Sequence, residues 1–113
     1  MEVVNVTEDA GVVKKVIKAG DGPLPNIGQE VKINFGASVR DKPSFDSSDK
    51  RKGPLTITVG TNQFVDGLDK GLLTMKLGEK SELIILPKYG YGKVGSPPQV
   101  PGDSILTICV ELI

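Results

Sequence analysis

One run of ten residues restricts the fold of this chain more than any other stretch. Val31, Ile33, Phe35, Ala37 and Val39 alternate with Lys32, Asn34, Gly36, Ser38 and Arg40. A period of two sends all five apolar side chains to one side of an extended strand and the rest to the other. A strand with one such face needs neighbours in a sheet and a second layer to cover that face. The pattern returns in Leu55, Ile57 and Val59, which alternate with Thr56 and Thr58. It returns again at the end, where Leu106, Ile108, Val110 and Leu112 share a face opposite Thr107, Cys109 and Glu111. Lys80 to Leu86 reads as another strand, and Val12 to Lys18 as a weaker one.

A single segment has a helical period. Phe64, Leu68, Leu72 and Met75 form one stripe. Asp66 is placed to cap its start, Asp69 to favour the positive end of the dipole, and Gly78 to help end it. Gly67 and Gly71 each weaken a helix by about 1 kcal/mol against alanine, so packing must hold it. Many strands and one short amphipathic helix predict an α+β fold with the sheet wrapped on the helix. The 113 residues suffice for a single domain over 1–113. Residues 1–10 are expected to be a loosely ordered N-terminal extension. Gly20-Asp21-Gly22-Pro23 and Lys52-Gly53-Pro54 read as turns. Lys93 to Asp103 holds three prolines and is expected to be an ordered surface loop, because proline fits neither a helix interior nor a central strand.

Composition removes whole classes of chemistry. Acidic and basic residues balance at 14 each, which argues against nucleic acid and against an anionic membrane surface. The triplet Lys50-Arg51-Lys52 is too short to alter that. No histidine is present, so Ser-His and Cys-His catalysis are excluded and metals lose their commonest ligand. No metal or other cofactor is expected. Cys109 is the single cysteine, so no internal disulfide forms; its thiol is expected to be inert or modestly exposed. The start MEVVNVTEDAGVV has neither the basic residues nor the apolar run of a signal peptide. No window approaches a membrane span. A cytoplasmic monomer is the expectation.

Three local patterns bear on chemistry. Gly90-Tyr91-Gly92-Lys93-Val94-Gly95 fits G-x-G-x-x-G, but Ser96-Pro97-Pro98 follows, so no helix can start there to meet a phosphate. Asp46 and Asp49 beside Ser47 and Ser48 lack the spacing and the glutamate of a calcium loop. Asp46 therefore reads either as a turn-capping residue or as a carboxylate set beside the ring of Phe45. The chain has five aromatic residues: Phe35, Phe45, Phe64, Tyr89 and Tyr91. Core packing accounts for Phe35 and Phe64. Tyr91 differs, because two glycines flank it after an apolar strand, where its hydroxyl can be offered to a pocket.

Three segments, taken in order, resemble one family. They are Phe45-Asp46-Ser47-Ser48 with Arg51; Gln63-Phe64-Val65-Asp66-Gly67-Leu68 with Gly71 and Met75; and Leu86-Pro87-Lys88-Tyr89-Gly90-Tyr91-Gly92 with the proline-rich loop and the closing strand. Their order and spacing, from about Gly11 to Ile113, resemble the FKBP family, the tacrolimus- and rapamycin-binding peptidyl-prolyl rotamases. The resemblance implies an antiparallel sheet curled around a short helix, with a ligand pocket between them. It implies that Tyr91 and the Val65 N–H bind ligand carbonyls, and that Asp46, paired with Arg51, lines the pocket near the twisting carbonyl. Phe45, Phe64, Val65 and Val100 would form apolar walls, and Gln63 would belong to the ligand-binding set. Proline-containing peptides and macrolides are the implied partners. The chain departs from the family pattern at Leu68, where a tryptophan floor is usual, at Phe35 for a tyrosine, and at Leu55 and Ile108 for phenylalanines. Ser96 and Gln99 also differ. Fewer rings imply a looser pocket, and hence a weaker isomerase or a protein-binding module with little turnover.

Overall fold

The computed structural model describes residues 2–40, 42–96 and 100–113; the expectations for Pro97, Pro98 and Gln99 lie outside them. The long alternating run forms strand β3 (Glu30–Val39), after β1 (Val3–Asn5) and β2 (Val12–Lys18). Then come β4 (Ser44–Ser47), β5 (Leu55–Thr58), helix α1 (Asp66–Leu72), β6 (Lys80–Ile85) and β7 (Leu106–Leu112). The strands make one antiparallel sheet in the order β1-β2-β6-β7-β3-β4, with β5 also paired to β3. The α+β architecture expected from the periodicities is the one observed.

Register fixes which side chains share the concave face. One row across the sheet runs Asp46, Ala37, Ile108, Leu83 and Lys14. The next joins Val39, Leu106, Ile85 and Val12. The apolar members of both rows are buried and form the core with Leu68, Leu72 and Met75 of the helical segment.

The helix lies on β2 and β6. Two glycines let it come close: a Cβ on Gly67 would stand 2.6 Å from Ile85 Cγ2, and one on Gly71 2.6 Å from Leu83 Cδ1. The residues that weaken the helix alone are therefore the ones that dock it. This off-centre seat leaves the concave side of β3 and β4 to be covered by other parts of the chain.

The helix is shorter than its apolar stripe. Val65, extended at φ −135° and ψ 152°, occupies the cap position, and Asp66 already lies in the helix without a capping hydrogen bond. Burial of Val65 fixes that extended cap residue, so Asp66 pairs loosely with Lys70 instead, at 3.9 Å. Phe64 precedes the helix and turns toward the sheet. At the other end the Thr74 hydroxyl and N–H both donate to the Gly71 carbonyl, tightening the last turn. Gly78, at φ +92°, serves instead the turn that leads into β6.

Beneath the helix is a polar pair that the sequence patterns did not single out. Lys14 and Glu79 meet at 2.9 Å with side-chain exposures of 5% and 7%. Lys14 Nζ also donates to the Thr74 carbonyl at 2.9 Å. Glu79 accepts from the Ser81 hydroxyl and the Lys76 N–H.

Candidate functional site

On the part of the concave face that the helix leaves free, a strand irregularity sets the first candidate side chains. β4 pairs Ala37 with Asp46 but Ser38 with Ser44, so Phe45 is one residue too many. Such a bulge bends a strand and re-aims its side chains. It brings Asp46 opposite Ala37, the smallest buried residue of that row.

Asp46 is then held from two directions. Arg51 donates to it through Nε at 3.0 Å and through Nη2 at 2.6 Å, a bidentate charge-assisted pair. The Ser47 N–H donates to it at 2.8 Å. The Arg51 hydrogen bond is the chief reason its carboxyl stays below the usual range, with the Arg51 charge and the Ser47 amide assisting against burial. Asp46 therefore organises its own turn, as the capping reading expects, while its strand position places it in the concave row opposite Ala37.

The Arg51 guanidinium also sits 5.8 Å from the centre of the Phe35 ring. Phe35 in turn meets Phe64 edge to face, with ring centres 5.5 Å apart and planes at 76°. This is the favoured geometry for two aromatic quadrupoles. Ser48, which motif reading passed over, anchors the group: it is buried, its hydroxyl lies 3.2 Å from the Phe35 N–H, and its own N–H donates to the Phe35 carbonyl. The pair of serines after Asp46 was the available signal for that anchor.

Tyr91 lies within reach of the Asp46 and Arg51 charges. It follows a short 3-10 turn, Pro87–Tyr89, and is half-buried on the core. Burial raises its hydroxyl above the ordinary phenol value, the Asp46 charge raises it further, and Arg51 opposes both. The hydroxyl is thus protonated, a donor, at neutral pH, and it has no hydrogen-bond partner among the described residues. Among the described residues the Val65 N–H also donates to no acceptor, although Val65 is buried.

The expected site residues fall into three groups. Val65, Leu68, Val100 and Ile108 are buried in the core; Val100 is drawn in from its loop by a bridge to Ser96. Phe45, Leu55, Phe64 and Tyr91 pack on that core with part of each side chain exposed. Asp46, Arg51, Phe35, Phe64 and Tyr91 form the linked polar and aromatic cluster. Gln63 stands apart, exposed, with its side-chain oxygen accepting from the Thr58 N–H as a brace for the loop before the helix. Two concavities open on the surface. One of about 220 Å³ is lined by Pro23, Leu77 and Ile113, away from the cluster. The other, about 400 Å³, is lined by Gly36, Cys109 and Glu111 and also by Phe35 and Ser48, so it borders the cluster from the far side of β3. Neither is lined by Asp46, Phe64 or Tyr91. Cys109 is half-buried, and burial pushes its thiol up, away from reactivity.

Residues 22–113 match the family described as FKBP-type peptidyl-prolyl cis-trans isomerase. FK506-binding protein 1A of Aspergillus fumigatus is 41% identical over 104 residues, covering 91% of this chain and 93% of that protein. FK506-binding protein 59 of Drosophila melanogaster is 35% identical over 111 residues; the match takes in 97% of this chain but only 25% of that protein's length. The crystal structure of AtFKBP13 has a TM-score of 0.91 to this chain at 29% identity, covering 100% of this chain and 98% of that one. The fold, the motif spacing and these likenesses agree: the chain belongs to the FKBP-type peptidyl-prolyl cis-trans isomerase family.

Proposed function

We propose that this chain isomerises X-Pro bonds at the Phe35–Asp46–Phe64–Tyr91 cluster, binds tacrolimus and rapamycin there, and acts as a cytoplasmic monomer on proline-containing peptides and proteins. One observation carries the reading: two donors without partners among the described residues, the Tyr91 hydroxyl and the Val65 N–H, accompany half-exposed apolar rings. Such a site suits a ligand that is apolar with a few carbonyl acceptors, which is what a prolyl peptide is.

The chemistry needs no nucleophile. Rotation about an X-Pro bond faces a barrier of about 18–20 kcal/mol from amide resonance. The planar amide has the larger dipole and is the form that water stabilises. An apolar site withdraws that solvation, so the twisted amide is bound in preference. Tyr91 and the Val65 N–H hold carbonyls of the bound peptide. Asp46, fixed by Arg51, sets the field beside the twisting carbonyl, while Phe45, Phe64, Val65 and Val100 exclude water.

A second reading, a binding module with little turnover, has support in Leu68, Leu55 and Ile108. These aliphatic side chains stand where the family pattern has rings. Exchange spectroscopy of an apolar-X-Pro peptide, with and without the protein and then with excess tacrolimus, tests both. Acceleration abolished by the drug supports the isomerase. Drug binding without acceleration by folded protein supports the module. Leu68→Trp should raise both rate and drug affinity; no change in a folded variant would overturn the account of the floor.

A further inference from the structure

We propose that the turn Thr7–Gly11 belongs to the working site, with Asp9 and Tyr89 as positioning residues that set where the Tyr91 hydroxyl sits. The inference rests on the reading of Tyr91 as a ligand donor and extends it to residues in a part of the chain that sequence analysis set aside.

Tyr91 packs on the core, and its carbonyl accepts from the Gly95 N–H at 3.1 Å on the side that follows it. Gly90 and Gly92 flank it, with Gly92 at φ +66°, and glycine leaves the backbone many alternatives. The direction in which the chain enters Tyr91 is therefore set by the segment before it. Behind it, the Pro87 carbonyl accepts from the Gly90 N–H at 3.0 Å and the Gly92 N–H at 2.9 Å. The turn Pro87–Tyr89 is thus the platform on which Tyr91 stands.

That platform is fastened to the N-terminal turn at three points. The Leu86 N–H donates to the Gly11 carbonyl at 2.8 Å. The Tyr89 ring lies so close over Gly11 that a Cβ there would overlap it. The Tyr89 hydroxyl donates to Asp9 Oδ2 at 2.9 Å, and Lys88 Nζ donates to the same oxygen at 3.1 Å. Asp9 Oδ1 meanwhile accepts from the Thr7 hydroxyl at 2.6 Å and the Gly11 N–H at 3.0 Å. These hydrogen bonds, that of Thr7 foremost, hold the Asp9 carboxyl well below the usual range, so it stays ionised. Ala10 completes the turn in the left-handed region at φ +56°, where a side chain is disfavoured. A strained turn persists when its surroundings over-determine it.

The Tyr89 ring packs on the core and serves the fold, but the contacts of its hydroxyl are exposed. The Lys88–Asp9 pair is exposed and contributes little, and Tyr89 is only partly buried. The consequence of the latch lies in the direction it gives to the next residues of the chain.

The test measures affinity for an apolar-X-Pro peptide by NMR titration in Asp9→Asn, Tyr89→Phe, Tyr91→Phe and the doubles with Tyr91→Phe. Tyr89→Phe keeps the ring over Gly11, and Asp9→Asn keeps an oxygen for Thr7 and Gly11, so both retain the fold. Each should weaken the peptide about 3- to 10-fold with an unchanged melting temperature, and neither should weaken it further once Tyr91 is phenylalanine. Equal losses with and without the Tyr91 hydroxyl would overturn the proposal, because the turn would then act by some other route. It also fails if Tyr91→Phe weakens binding while Asp9→Asn and Tyr89→Phe do not; the function proposed for Tyr91 then stands. No effect of Tyr91→Phe itself would remove both.

Discussion

Replacing Lys14 with methionine should be among the most damaging single changes to this domain. The ammonium is 5% exposed and its partner Glu79 7% exposed, so neither can turn to water. Lys14→Met leaves the carboxylate with the Ser81 hydroxyl and the Lys76 N–H but no positive charge. Breaking a buried pair from one side costs about 3–5 kcal/mol. A domain of this kind has about 5–15 kcal/mol in all, so the variant sits near the limit of folding. Lys14→Met with Glu79→Leu removes both charges and should recover to within about 2 kcal/mol of the parent, since well-packed apolar pairs replace buried ion pairs at small cost.

Urea denaturation of the four members of that cycle, at constant m-value, measures the coupling. The pH dependence adds an independent sign. Burial alone would raise the Glu79 carboxyl, but Lys14, Ser81 and the Lys76 amide together hold it below its usual value. In the parent, therefore, the group supports the fold above the ordinary carboxylate range and loses that support as pH falls through the depressed value. Without Lys14 its largest hydrogen bond is gone and burial raises it. Stability of Lys14→Met should then fall as pH rises from the ordinary carboxylate range up to the raised Glu79 value and level off beyond it, and the gap to the parent should close in acid. A single-variant loss below about 1 kcal/mol, or a gap constant from pH 7 to pH 3, would show that water reaches the pair and refute the reasoning.

Three further outcomes follow from the geometry. Arg51→Ala should cost about 1–2 kcal/mol of stability, more than an ordinary surface pair, because the contact is bidentate and the Asp46 side chain is only 20% exposed. It should still slow isomerisation at neutral pH, measured by exchange spectroscopy, because Asp46 is released; unchanged kcat/KM would remove Asp46 from the mechanism. Gly67→Ala should lower the melting temperature. The new methyl meets Ile85 at 2.6 Å, and overpacking of about 1–3 kcal/mol exceeds the roughly 1 kcal/mol gained in helix propensity; a stabilised variant would mean that the helix is not docked this closely. Peptide affinity should hold through the ordinary phenol range and decline only above it, because the raised Tyr91 hydroxyl remains a donor there. Tyr91→Phe should lack that alkaline decline.

Apolar patterning located β2 and β7 at their observed bounds and β3, β5 and β6 to within a residue, because a half-buried strand writes its period directly into the sequence. The helix was found by its stripe, but its limits were not: the stripe includes Phe64 and Met75, buried or partly buried by tertiary contacts beyond the helix. The family was legible through the Phe45–Arg51, Gln63–Leu68 and Leu86–Gly92 segments and their spacing. The brace that the Gln63 side chain gives the loop before the helix was not, because its acceptor contact to Thr58 is set by how two turns meet.

By itself the sequence determined the fold class, the family, and the absence of histidine and of a second cysteine for a disulfide. These depend on residue type and short-range period, which a linear chain displays. Only the tertiary structure decided that the helix sits to one side on Gly67 and Gly71, that a bulge at Phe45 turns Asp46 inward, and that Lys14 meets Glu79. It alone joined Asp9 to Tyr89, 80 positions away. These contacts depend on strand register and on approach distances between remote segments, and no local pattern encodes either.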